Sequence, residues 1–147
     1  MNKKWLFIIS VVIIFFALKH FLDYGEKDLN RVIGYDLSKF ESLVVNKTTE
    51  QFEWRTDQTA HAETLQEFLS SYRVKRMKDY EWDSDVSKEK GFTLSITLTD
   101  KAVPITADIF EKRILFYNEG KYYQVLNYPI DVEWVYTYVT EQKQEKE

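Results

Sequence analysis

The 147-residue chain has no cysteine. That removes disulfides, thiolate metal sites, a cysteine nucleophile and a lipidated cysteine in one step. Small exported domains of animals usually rely on disulfides, so a cysteine-free exported domain is more typical of Gram-positive bacteria. Glycine is scarce too: the four residues are scattered, no glycine-rich phosphate loop exists, and no serine sits in a G-x-S-x-G elbow. The two histidines, His20 and His61, lie far apart, one at the end of an apolar run and the other alone on a helical segment. That is a poor basis for zinc. No cofactor site is legible.

Acid is missing from the first 22 residues, which contain Lys3, Lys4 and Lys19 and so carry +3. The whole chain carries −4, which leaves −7 on the remainder. Nucleic acid needs a positive footprint, so an acidic remainder argues against it. The same charge argues against a domain lying flat on anionic lipid.

What is present begins with an apolar run. Trp5–Leu18 is interrupted only by Ser10. Read strictly, that suits the apolar region of a signal peptide. Extended through Phe21 and Leu22, residues 5–22 reach a membrane span if Lys19 snorkels. No small-x-small cleavage signal and no lipobox cysteine follow the run. The expectation is therefore an uncleaved signal-anchor over 1–22. Lys3 and Lys4 place the N-terminus in the cytoplasm and the rest of this single-pass cell-membrane protein outside it.

Asp23–Gly34 reads as a stalk helix (23–35), with Leu29, Val32 and Ile33 on one side and Gly34 as its stop. Residues 36–142 then read as one extracytoplasmic α+β domain, and 143–147 as a polar tail. Strands are expected at Phe40–Asn46, Gln51–Arg55, Tyr72–Met77, Gly91–Thr99, Val103–Ile109, Arg113–Tyr117 and Tyr122–Leu126. The strict alternation of Phe92, Leu94, Ile96 and Leu98 with threonine and serine marks a sheet with one wet face. Helices are expected at Thr59–Ser70, capped by Thr56 or Asp57, and from Val132 to about Glu141, capped by Asp131. Connections this short make the sheet mostly antiparallel, covered by two short helices.

Two groups invite a binding role. Asp79, Glu81, Asp83 and Asp85 supply the oxygen density that hard cations want. Laid on a calcium loop, however, Ser84 stands where glycine belongs and Lys90 where the bidentate glutamate belongs. A solvated acidic loop is the simpler reading. Aromatic residues crowd the last third of the chain, and most read as core. Tyr117 and Tyr122 flank the Asn118–Lys121 turn and are the rings expected at the surface. Arg73, Lys75, Arg76 and Lys78 read as a charged edge strand that discourages aggregation, or alternatively as a patch for an anionic partner.

The order of Phe40–Asn46, the Thr56-Asp57 helix start, Tyr72-Arg73-Val74, the Gly91–Ile96 strand and Asn118-Glu119-Gly120-Lys121-Tyr122-Tyr123 resembles small extracytoplasmic domains carried by Gram-positive lipoproteins and membrane-anchored proteins. The resemblance implies export and a compact α+β domain, and it supplies no catalytic residues. The expected function is a non-catalytic interaction module that meets an envelope protein partner. The alternative is an envelope ligand-binding domain for a glycan or a cation.

Overall fold

The computed structural model describes residues 2–83, 85–86 and 88–144. It is α+β. The first helix, α1 (Lys3–Tyr24), contains an 18-residue stretch of mean hydropathy 2.3 and has no buried residue. At about 1.5 Å per residue its 22 residues run roughly 33 Å, enough to cross a hydrocarbon core. Length and composition also fit a signal sequence.

The chain then differs from a continuous stalk helix. Gly25 closes α1 in extended geometry, and Glu26–Asp28 forms a strand, β1. A single turn of helix follows, α2 (Leu29–Ile33). Leu29 and Ile33 are fully buried. Their burial is the physical reason for the difference: these side chains belong to the core, so the segment folds into the domain instead of holding it away. Gly34 is not left-handed (φ −42°), so it does not stop the helix in the expected way.

The remaining strands are β2 (Phe40–Lys47), β3 (Glu53–Thr56), β4 (Arg73–Arg76), β5 (Gly91–Leu98), β6 (Ile105–Phe110), β7 (Arg113–Phe116) and β8 (Lys121–Val125). They make one eight-stranded sheet in the order β1-β4-β8-β7-β6-β5-β2-β3, with antiparallel pairing throughout. Both edges, β1 and β3, are very short, which limits edge-to-edge pairing.

Register places Leu43 and Val45 of β2 opposite Ile96 and Leu94 of β5, and these opposite Ile105 and Ala107 of β6. These residues and Val74, Ile114, Tyr123 and Val125 line the buried face. Two helices cover it. In α3 (Thr59–Ser70), Ala62, Leu65 and Leu69 are buried; in α4 (Val132–Gln144), Val132, Val135, Tyr136 and Val139 are buried. The two helices meet where Phe68 stacks on Trp134, ring centroids 4.5 Å apart. Asp131 caps α4 by accepting from the Trp134 amide at 3.0 Å.

The expectation of two short helices was too few. Four α-helices and three short 3-10 turns are present among the described residues. The expected tail begins inside α4, which continues through Gln144; residues 145–147 lie outside the described residues, as does Ser84.

Candidate functional site

The face of the sheet opposite the helices is polar and half-exposed. Alternation along β5 puts Thr93, Ser95 and Thr97 there. Register lines up Glu53, Asn46, Thr93, Asp108, Leu115 and Tyr122 in one row across six strands. Glu53 on the edge strand and Asp108 within the sheet are the row's charged members. The Asp108 carboxylate accepts from the Thr93 hydroxyl at 2.6 Å and from the Tyr117 phenol at 2.6 Å. The hydrogen bond to Asp108 is the main reason the Tyr117 phenol is pushed up to about 12, with desolvation second. Tyr117 remains 52% exposed. It sits in a 3-10 turn (Tyr117–Glu119) ended by Gly120, whose φ of +58° is the left-handed geometry glycine tolerates best.

Tyr122 is half-buried and stacks on Trp82 at 4.7 Å. Trp82 belongs to the acidic connection, so this contact lays that connection against the open face. Of the two groups that sequence kept separate, the tyrosines and the carboxylates, Tyr122 therefore meets the acidic connection at Trp82, whereas Glu81 lines a groove beside the end of α1.

The four carboxylates do not converge. Asp79, Glu81, Asp83 and Asp85 are all exposed. Asp79 and Glu81 lie in a 3-10 turn in which the Glu81 carboxylate accepts from the Lys78 amide at 2.7 Å. The Asp83 carboxylate accepts from the Asp85 amide at 2.9 Å. Inward-facing oxygens of this segment are instead gathered by Arg113, which is 8% exposed. Its guanidinium donates to the Asp83 carbonyl, donates to the Asp85 carbonyl at 3.0 Å, and pairs with the Glu89 carboxylate at 2.8 Å. It also lies 4.6 Å from the Trp82 ring centroid. A protein cation thus gathers oxygens of this segment, a task that falls to the metal ion in a calcium loop. Among the described residues, no group of three or more His, Asp or Glu side chains is placed to hold a metal ion.

Arg113, Trp82 and Asp108 were not singled out from sequence. The signal for Arg113 was weak but present: it is the one charged residue in an otherwise apolar strand, Arg113–Phe116. Asp108 carried no distinguishing signal, because a carboxylate on the wet face of a strand is unremarked by alternation alone.

His61 is a structural link. Its Nδ1 lies 2.6 Å from the Tyr138 hydroxyl, which ties α3 to α4, and its ring meets Trp54 edge-on at 5.2 Å.

The basic segment Arg73–Arg76 is corrected outright: β4 is not an edge strand. It lies between β1 and β8. Glu26 faces Lys75 and Asp28 faces Arg73 across the β1–β4 ladder, and Arg73 pairs with Glu26 at 3.1 Å. Opposite charges on facing strands stabilise such a pairing.

No protein-family model, no curated protein and no solved structure matches this chain.

Proposed function

We propose that this is a single-pass membrane protein whose folded domain lies outside the cytoplasm and serves as a non-catalytic interaction module of the cell envelope, like the Gram-positive domains it resembles. The observation that carries the reading is α1. Every side chain from Trp5 to Leu22 is exposed while the domain beneath buries its own apolar residues. A bare apolar helix of this length is stable in lipid, not in water.

The open face supports the interaction half. It combines Tyr117, Tyr122 and Trp82 with hydroxyls and the Asp108 carboxylate on a rigid sheet, a composition common at binding surfaces. Its less exposed carboxylates are engaged in structural bonds, Asp108 with Thr93 and Tyr117, and Glu89 with Arg113. That favours recognition over proton transfer.

The absence of cysteine makes the test clean, because each introduced thiol is the sole one. Asn2→Cys and Lys101→Cys are exposed to a membrane-impermeant maleimide on intact cells. Labelling of Lys101→Cys alone is expected. The reading needs Lys3 and Lys4 to outweigh Lys19, Lys27 and Arg31 in setting orientation, and labelling of Asn2→Cys alone sinks it. A photo-crosslinking residue in place of Tyr117 is expected to capture one envelope protein; capture indistinguishable from a probe on α4 counts against the module. A melting shift with cell-wall glycan or calcium, without protein capture, favours the ligand-binding alternative.

A further inference from the structure

The join between α1 and the sheet is short and crowded. Gly25 is the only residue between the last turn of helix and β1. A Cβ there would lie 2.5 Å from the Phe21 carbonyl oxygen, so the join leaves no room for a side chain. The β1–β4 edge of the sheet therefore begins directly beneath the helix exit, with no linker between them.

Two grooves flank that exit. One, of ≈ 490 Å³, runs between Phe21 and Tyr24 of the helix and Lys75, Arg76 and Lys78 of the sheet. The other, of ≈ 730 Å³, runs between Phe21 and Leu22 and the cations Lys27, Arg31 and Arg73. Together they hold six basic side chains against Glu26 and Glu81, a local charge of +4 in a chain whose net charge is −4. Counting Asp23 and Asp28 on the adjoining segment still leaves +2. Among the described residues, Arg73 alone of the six sits in an ion pair. Arg76 is held beside the helix by Tyr24, its guanidinium carbon 5.0 Å from the ring centroid.

Each groove thus has an apolar wall made by the end of the apolar helix and a cationic wall made by the sheet. A phospholipid has the matching order: acyl chain beside the helix, phosphate at its end. Tyr24 stands at the level where tyrosine is favoured at a membrane interface. Arginine and lysine are the side chains that bind phosphate oxygens, by fork and by point charge respectively.

We propose that this basic collar around the exit of α1 binds the phosphate headgroups of anionic phospholipids and seats the domain against the bilayer from which the helix emerges. The proposal rests on α1 being a membrane span. It does not depend on which side of the membrane the domain occupies. It explains why a segment as charged as Arg73–Lys78 is placed beside the anchor, although the domain's overall charge is negative.

The test uses the full chain with Tyr80→Cys, a position 79% exposed beside Lys78, carrying a fluorophore. The chain is reconstituted in phosphatidylcholine vesicles with or without phosphatidylglycerol, and quenching by a headgroup nitroxide lipid is read. Quenching is expected to rise with phosphatidylglycerol and to vanish in about 1 M salt, where the Debye length is about 3 Å. Lys75→Gln/Arg76→Gln/Lys78→Gln is expected to weaken the lipid-dependent part by about tenfold. Lys39→Gln/Lys101→Gln/Lys143→Gln, which removes equal charge from outside the collar (the turn before β2, the β5–β6 loop and α4), is expected to leave it unchanged. The wild-type comparison of lipids and salt needs no variant to fold. Equal quenching in both lipids overturns the proposal, as does equal loss in both triple variants. Abolition by millimolar inorganic phosphate overturns it in favour of a free-phosphate site. Flotation after an alkaline wash separates the two levels: a chain that fails to float overturns the span and the collar together, whereas one that floats without lipid-dependent quenching overturns the collar alone.

Discussion

Arg113→Ala should release the acidic connection from the open face. The wild-type guanidinium satisfies two backbone carbonyls and one carboxylate from a position 8% exposed. After truncation the Asp83 and Asp85 carbonyls can rehydrate, because both residues are exposed. Glu89 cannot do so as fully. Its side chain is 22% exposed and its Oε2 already has no hydrogen-bond partner. An exposed ion pair is worth about 0–1 kcal/mol, and stranding one partner of a buried pair costs about 3–5 kcal/mol. This pair lies between, so the expected loss is about 2–3 kcal/mol. For a domain of this size that lowers Tm by roughly 6–12 °C. Arg113→Lys keeps the charge for Glu89 but lacks the fork that reaches both carbonyls, and should lose roughly half as much. Urea unfolding of the detergent-solubilised chain gives the free energy. Hydrogen exchange gives the location: amides over 79–90 should exchange faster in Arg113→Ala while β5 and β6 keep their protection. A loss below about 1 kcal/mol, or an unchanged exchange pattern over 79–90, refutes the assignment of Arg113 as the residue that fastens the loop.

Tyr117 gives a pH prediction. Its folded value of about 12 lies above the unfolded value of about 10, so its hydrogen bond to Asp108 contributes fully below pH 10 and is lost as pH rises through 12. In an alkaline absorbance titration, Tyr117→Phe should delete one late-titrating phenol and Asp108→Asn should bring that step earlier; an unmoved step in Asp108→Asn removes the carboxylate as its cause. Gly91→Ala should destabilise by about 2–3 kcal/mol, because the new Cβ would lie 2.6 Å from the Ile109 carbonyl oxygen and 2.6 Å from a Phe110 ring carbon. An unchanged urea midpoint contradicts the contact. Gly120→Ala meets no atom within 4 Å and should cost only the left-handed backbone penalty, about 1 kcal/mol, with Gly120→Asn milder by thermal melting.

Much of the domain was legible because its signals are local. The Thr59–Ser70 helix, the β5 alternation and the buried stripe Val132, Val135, Tyr136 and Val139 each follow from one residue's spacing to the next. The β-branched content of the last helix disfavours helix on propensity alone, and burial of that stripe overrides it. The failures share a different cause. Glu26–Asp28 is too short and too charged to announce itself as a strand; it exists because β4, more than forty residues later, supplies its partner. The cation in the acidic loop was missed for the same reason, since Arg113 approaches Asp83 and Asp85 from a distant strand.

The short β1 strand also changes what net charge can decide. A sum of −7 beyond residue 22 averages carboxylates on the open-face loop with lysines and arginines on the anchor-side edge. Charges separated by more than a Debye length, about 8 Å in physiological salt, act independently. A membrane therefore responds to the part of the domain nearest it, not to the total. The pairing of β1 with β4 carries Lys27 and Arg31 to the neighbourhood of Arg73, Lys75 and Arg76, and the one-residue link at Gly25 fixes that neighbourhood at the helix exit. Under the proposed collar, an acidic domain is therefore compatible with attraction to anionic lipid at the helix exit. The topology of one three-residue strand, not composition, decides between repulsion and contact.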